Sequence, residues 1–320
     1  MSNFLDPAIL FFIFGVFAGM VRSNLEIPRS IAKFLSLYLL MALGLKGGFA
    51  LSRSGITSEI LLSLLAAMFM AAVVPLIGYQ FLKNRISRYD AAAVAATYGS
   101  ISAVTFVTAI QFLEHRGYTP GGHMAVAMVL METPAIMVAI LLANALRQQQ
   151  VGANAQPFTL KNLLHESFTD GAQLLLLGAL TIGWITGSSG ESAMQPFSGD
   201  LFKGMLAFFL LDMGLMVARN AKTAFQASPV LLAYAIAGPL LHAGLAWALG
   251  TALQLPMTDV ALLMVLSASA SYIVVPAVVR HAIPEANPAI YLGLSLGVTF
   301  PFNILVGIPV YVQLASKTLQ

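Results

Sequence analysis

Two short runs rich in small and hydroxyl side chains interrupt otherwise apolar stretches of the chain. Residues 97–109 read TYGSISAVTFVTA and place Gly99, Ser100, Ser102 and Ala103 where a membrane-spanning helix would carry Leu or Val. Residues 267–276 read SASASYIVVP and do the same with Ser269, Ala270 and Ser271, followed by Tyr272. A helix broken in hydrocarbon leaves backbone N–H groups whose partial positive charge suits an anion. Hydroxyls add neutral, directional donors and acceptors. The expected chemistry is therefore reversible binding of a small anion, contacted by N–H groups of residues 100–104 and 269–273 and by the hydroxyls of Ser100, Ser102, Ser269 and Ser271. Gly, Ala and Ser also serve close helix packing without any ligand, and one run alone would favour that reading. The same S-x-S in two places favours a site.

Glu132, Asp212 and His242 are ionisable residues inside apolar runs, where such groups are candidates for ion or proton coupling. Glu132 lies just before Thr133-Pro134, and Pro134 cannot donate its N–H, so the carboxyl either satisfies a loosened backbone or takes and releases a proton. Asp212 either pairs with Arg219 or Lys46 or serves coupling. His242 is read first as bonded to a carbonyl freed by Pro239, and otherwise as a titrating group. Lys46 and Arg219 are expected to reach the membrane interface. Nothing points to catalysis: there is no cysteine, no H-E-x-x-H, no phosphate-binding glycine loop, and no His or Lys at a diagnostic spacing from the serines. No metal site and no cofactor are expected. The net charge of +3 comes from scattered basic residues rather than a stripe, which argues against nucleic acid as a partner.

The elements that must position these residues follow from composition. With 58% hydrophobic and 9% charged residues and a mean hydropathy of +0.85, the chain reads as an all-α membrane protein in contact with lipid. Runs of roughly 20 apolar residues give ten spans, near 5–23, 30–51, 58–82, 90–113, 122–146, 169–187, 201–220, 228–252, 257–281 and 287–315. The first lacks the basic stretch of a signal peptide and is expected to be a retained helix. The polar connection at 147–168 divides a first five-helix repeat, 1–146, from a second, 169–320. Eleven basic residues fall on one side of the ten spans and five on the other, so the richer side is expected to be cytoplasmic, with both termini periplasmic in a bacterial inner (plasma) membrane. At a shift of 169 residues Asp90 lies over Asp259, Ser100 over Ser269 and Ser102 over Ser271; Pro75 and Pro239, and METPA and VTFPF, recur in the same order. Two inverted repeats, with helices 4 and 9 broken and crossing at the midplane, are the expected architecture.

Together, YGSISAVTFVTAIQFLE from Tyr98, METPAIMVAILLAN from Met131, LGLKGGFALSRSGI from Leu43, AGPLLHAGLAWALG from Ala237 and the long run from Ser267 to Ala315 resemble the sodium-dependent bicarbonate transporters. The resemblance implies a secondary transporter for bicarbonate or a related small carboxylate, working by alternating access. It also implies a core and a gate domain, a homotrimer, substrate and sodium between the broken helices, and contact with a PII-like regulatory protein. Of the first substrate motif, Gly99 and Ser102 are kept, Ser100 replaces Ala and Val104 replaces Ser. In the second, Tyr272 stands where the family has Asp, and Val274-Val275 precede Pro276. A phenol brings no formal charge to a hard cation, so sodium coupling is in question. A non-transporting membrane sensor or assembly partner on the same scaffold is the alternative, and a channel a third.

Overall fold

The computed structural model describes residues 7–55, 57–151, 171–225, 228–272 and 274–318, and every element among them is helical. In chain order these are α1 (Pro7–Met20), α2 (Arg29–Ser54), α3 (Ser58–Leu82), α4 (Arg88–Gly99), α5 (Ala103–His115), α6 (His123–Val151) and α7 (Gly171–Met194). There follow α8 (Phe202–Phe225), α9 (Pro229–Ala252), α10 (Met257–Ala268), α11 (Val274–Ala282) and α12 (Pro288–Thr318). Six helical segments among the described residues are long and apolar enough to cross a membrane: Arg29–Arg53, Ser58–Leu82, Arg88–His115, Leu174–Arg219, Pro229–Ala252 and Pro288–Thr318. Pro7–Met20 and Met257–Ala268 are shorter apolar helices.

Several boundaries differ from the sequence reading. The expected end of the first repeat, 146, falls inside α6, and most of the expected 147–168 linker lies outside the described residues. The sixth span does not stop at 187: Gly187 adopts φ 53°, a conformation that L side chains avoid, and helical structure resumes to Met194 and then a π-turn at Gln195–Asp200. In α12, π-turns at Ser295–Thr299 and Asn303–Gly307 flank Pro301, a helical position with no N–H to donate.

The helices sort into two layers. In one, α1 lies along α8, α8 touches α2, and α2 lies along α7. Glycine sets the approach at both long contacts. A Cβ on Gly214 of α8 would overlap the Phe12 carbonyl oxygen and stand 2.8 Å from Val16 N. One on Gly48 of α2 would overlap the Leu180 carbonyl oxygen and stand 2.6 Å from Trp184 N. In the other layer α3 packs on α6, α4 and α10, and α9 on α10. The layers meet where α8 packs on α12 and where α2 packs on α6 and α5. Phe11, Phe14 and Phe17 of α1, Leu61, Leu65 and Phe69 of α3, and Leu240 and Leu241 of α9 point outward, forming apolar surface of the kind lipid covers. By contrast, 94% of the most apolar stretch of Arg88–His115 is buried, so this segment is surrounded by protein rather than lipid.

Candidate functional site

Both S-x-S runs are helix breaks. Ser100 ends α4 in extended conformation (φ −100°, ψ 175°), and Ser269 ends α10 the same way (φ −79°, ψ 167°). The second serine of each run opens the next half-helix. Ser102 Oγ accepts the N–H of Thr105 at 3.2 Å and caps α5, while Ser271 Oγ accepts the N–H of Val275 at 3.3 Å and serves α11. The hydroxyls take two of the donors that a helix start leaves without an intrahelical acceptor. Pro75 of α3 presses on the first break: a Cβ at Gly99 would stand 2.6 Å from its Cδ, so glycine is the residue that fits.

The breaks bind each other. Ser102 N donates to Ser269 Oγ at 3.0 Å, Ser269 Oγ donates to Leu266 O at 2.8 Å, and Ser271 N donates to Thr97 O at 2.8 Å. Gly99, Ser100, Ser102, Ser269, Ala270, Ser271 and Tyr272 are buried, and Ala103 is half-buried. The expected donor set is therefore narrower than the sequence suggests. The N–H groups of Ser102 and Ser271 already have protein acceptors, and those of Ser100 and Ser269 bond back to Ala96 O and Leu266 O. What remains at the first break is the Ser100 hydroxyl, fully buried with no hydrogen-bond partner among the described residues, beside the first N–H groups of α5. Ser269, its counterpart under the 169-residue shift, is engaged twice.

Residues that the sequence reading did not single out complete the surroundings. Asn303, in the π-turn of α12, donates from Nδ2 to Ala268 O at 2.8 Å and so satisfies the carbonyl that ends α10; Tyr311 donates to its Oδ1 at 3.1 Å. Tyr98 and Thr299 share a 2.6 Å hydrogen bond, and Thr299 Oγ1 donates to Ala235 O at 2.7 Å. An Asn two residues after Pro301 in an otherwise apolar run is the sequence signal that could have marked this support.

Tyr272 does not stand over a cluster of hard oxygens. Its ring meets Phe300 edge-on at 5.4 Å, and its hydroxyl lies 3.6 Å from the sulfur of Met213 on α8, in the other layer. It also interacts with the Ser102 side chain and feels the charge of Asp212, the residue before Met213. Asp212 is itself buried on α8. Glu132 is buried on α6. The expected bond between His242 and a carbonyl freed by Pro239 is not made: both ring nitrogens are buried without a partner among the described residues, and the ring stands edge-on to Tyr234 at 6.3 Å. Lys46 pairs with Glu114 at 3.3 Å rather than with Asp212 and lies over the Phe202 ring. Arg219 acts on Asp212 electrostatically and reaches the Leu25 carbonyl.

The chain matches the Na+-dependent bicarbonate transporter superfamily over residues 7–316. It belongs to that superfamily. The match spans both layers and both breaks, which makes the chain a multi-pass membrane protein of a transporter family. No curated protein matches it. Among the described residues no group of three or more His, Cys, Asp or Glu side chains could hold a metal ion.

Proposed function

We propose that the protein is a secondary transporter for bicarbonate or a closely related small carboxylate, binding its substrate between the two breaks and moving it by alternating access. The observation that carries this reading is the buried Ser100 hydroxyl, without a partner among the described residues, at the first break; Ser267 Oγ, in the second run, is likewise buried without one. A buried polar group left unpaired is unfavourable by roughly 1–3 kcal/mol unless something binds it, and an anion accepts from a hydroxyl and from N–H groups alike.

The architecture proposed is two inverted five-helix repeats. Its support is that contacts come in exchanged pairs: α1 with α8 and α7 with α2 are the same contact with the repeats swapped, and each is set by glycine. The first layer would act as the gate and the second as the moving core, with the breaks in the core.

Sodium is a coupled cargo in this superfamily, but the surroundings of Tyr272 do not suit it: the Met213 thioether sulfur and the Phe300 ring face it, and neither is a hard oxygen ligand. We therefore propose that coupling does not run through this position. Glu132 and Asp212, both buried carboxylates, are the candidates for coupling in its place. Uptake of labelled bicarbonate into proteoliposomes tests the whole reading. Uptake is expected, and it should persist when choline replaces sodium on both sides. Strict dependence on sodium would refute the assignment at Tyr272, and absence of uptake of bicarbonate and small carboxylates in all gradients would favour a non-transporting sensor.

A further inference from the structure

Asp90 and Asp259 are each the third residue of a 12-residue half-helix that ends at a break, α4 and α10 respectively. Each reaches across to the other half of the chain. Asp90 Oδ1 accepts the backbone N–H of Asn287 at 2.7 Å, and Asn287 is the N-cap of α12. Asp259 Oδ2 is held by His123 Nε2 at 2.6 Å and by the Ser63 hydroxyl at 2.8 Å, and His123 is the first residue of α6. Each carboxylate thus holds the start of the span that comes after the other broken segment, α12 for Asp90 and α6 for Asp259. The two anchors differ in kind: Asp90 is half-buried and uses a main-chain donor, while Asp259, His123 and Ser63 are all buried and use side chains from three helices. An ionised carboxylate only accepts, so in this pair Nε2 carries the hydrogen.

We propose that Asp259, with His123 and Ser63, is a positioning cluster that fixes how deep α10 sits against α3 and α6, and so which face the 269–272 break turns toward Ser102 and Thr97. A half-helix is a rigid rod, so a shift at its third residue is delivered to its last. Ser269, just past that end, accepts from Ser102 N, a bond that tolerates only a few tenths of an ångström of displacement. A buried carboxylate stripped of its partners does not stay in place. The parallel role of Asp90 rests on the repeat reading; the Asp259 cluster stands on its own geometry.

The chain has no cysteine, so a single substitution gives a unique reporter. Ala270, 3% exposed between the two serines of the second break, is changed to Cys, and its reaction with a small maleimide is timed in the detergent-purified full chain. His123→Ala and Asp259→Ala are each expected to speed labelling at position 270 about tenfold, as loss of local protection does. The double change should be no faster than either alone, because the two residues act as one unit. His123→Gln, which keeps a donor, should stay near the parent rate. A control reporter at Ala179 of α7, in the other layer, should not change. Unaltered labelling at 270, strictly additive effects, or equal acceleration at 179 would overturn the proposal. If the Ala variants fail to fold, Asp259→Asn is read with the same criteria. Labelling needs no transport, so parent liposomes without uptake would overturn the transporter reading while leaving this result intact.

Discussion

Gly99→Val is expected to reduce bicarbonate uptake about thirtyfold while the helical content of the purified protein stays unchanged. Gly99 is the last residue of α4, and a Cβ there would stand 2.6 Å from Cδ and 2.7 Å from Cγ of Pro75. A proline ring has no rotamer by which to move aside. Overpacking of this kind is unfavourable by typically 1–3 kcal/mol, and about 2 kcal/mol corresponds to the thirtyfold change. The strain would fall on the backbone between Gly99 and Ser102, where Ser102 N must meet Ser269 Oγ, so the loss should appear in substrate binding and turnover before it appears in global unfolding. Gly99→Ala, the smallest addition, should show a weaker version. Uptake at parental level in Gly99→Val would mean that the break tolerates displacement and is not the site.

The second large effect belongs to the other layer. Gly214→Leu is expected to destabilise the protein by about 3 kcal/mol or more, read as a lowered Tm and aggregation in detergent. Its Cβ would overlap the Phe12 carbonyl oxygen and crowd Val16 N, and both obstacles are main chain. The two helices must therefore separate over the contact that joins α1 to α8. Gly48→Leu, at the matching contact of α2 with α7, should have an effect of similar size. Two such changes on different helix pairs with matching losses would support the exchanged-pair architecture. A wild-type Tm in either would show that these helices are not held at glycine distance.

The positions of both breaks were legible in the sequence because small hydroxyl residues, which in a single apolar run would read as close packing, recur with Asp90, Ser100 and Ser102 at one shift. The division of labour among those serines was not. Capping by Ser102 and Ser271 depends on the backbone leaving the helix before each of them, and the bonds of Ser269 Oγ to Ser102 N and Leu266 O tell the engaged first serine from the unengaged one. His123 and Asp259 lie at span ends, 136 residues apart, where charged residues are expected on grounds of membrane topology alone. Hydropathy therefore gave no reason to pair them. Asn303 was hidden by its apolar neighbours, since a π-turn carries no sequence signature that a 3.6-residue period would reveal. The helical continuation past Gly187 was missed for a related reason: glycine followed by two serines reads as a loop. The apolar chemistry of the run was read correctly, while its tertiary use was not available from local pattern.

The account stands on one claim, that an anion occupies the break beside Ser100, and bicarbonate binding to Ser100→Ala tests it most directly. The hydroxyl has no partner among the described residues, so its removal should not lower Tm. A hydrogen bond to a charged ligand contributes about 1.5–3 kcal/mol, so the Kd for bicarbonate should rise about tenfold to a hundredfold. A parental Kd in Ser100→Ala would contradict the account and place the substrate elsewhere in the protein.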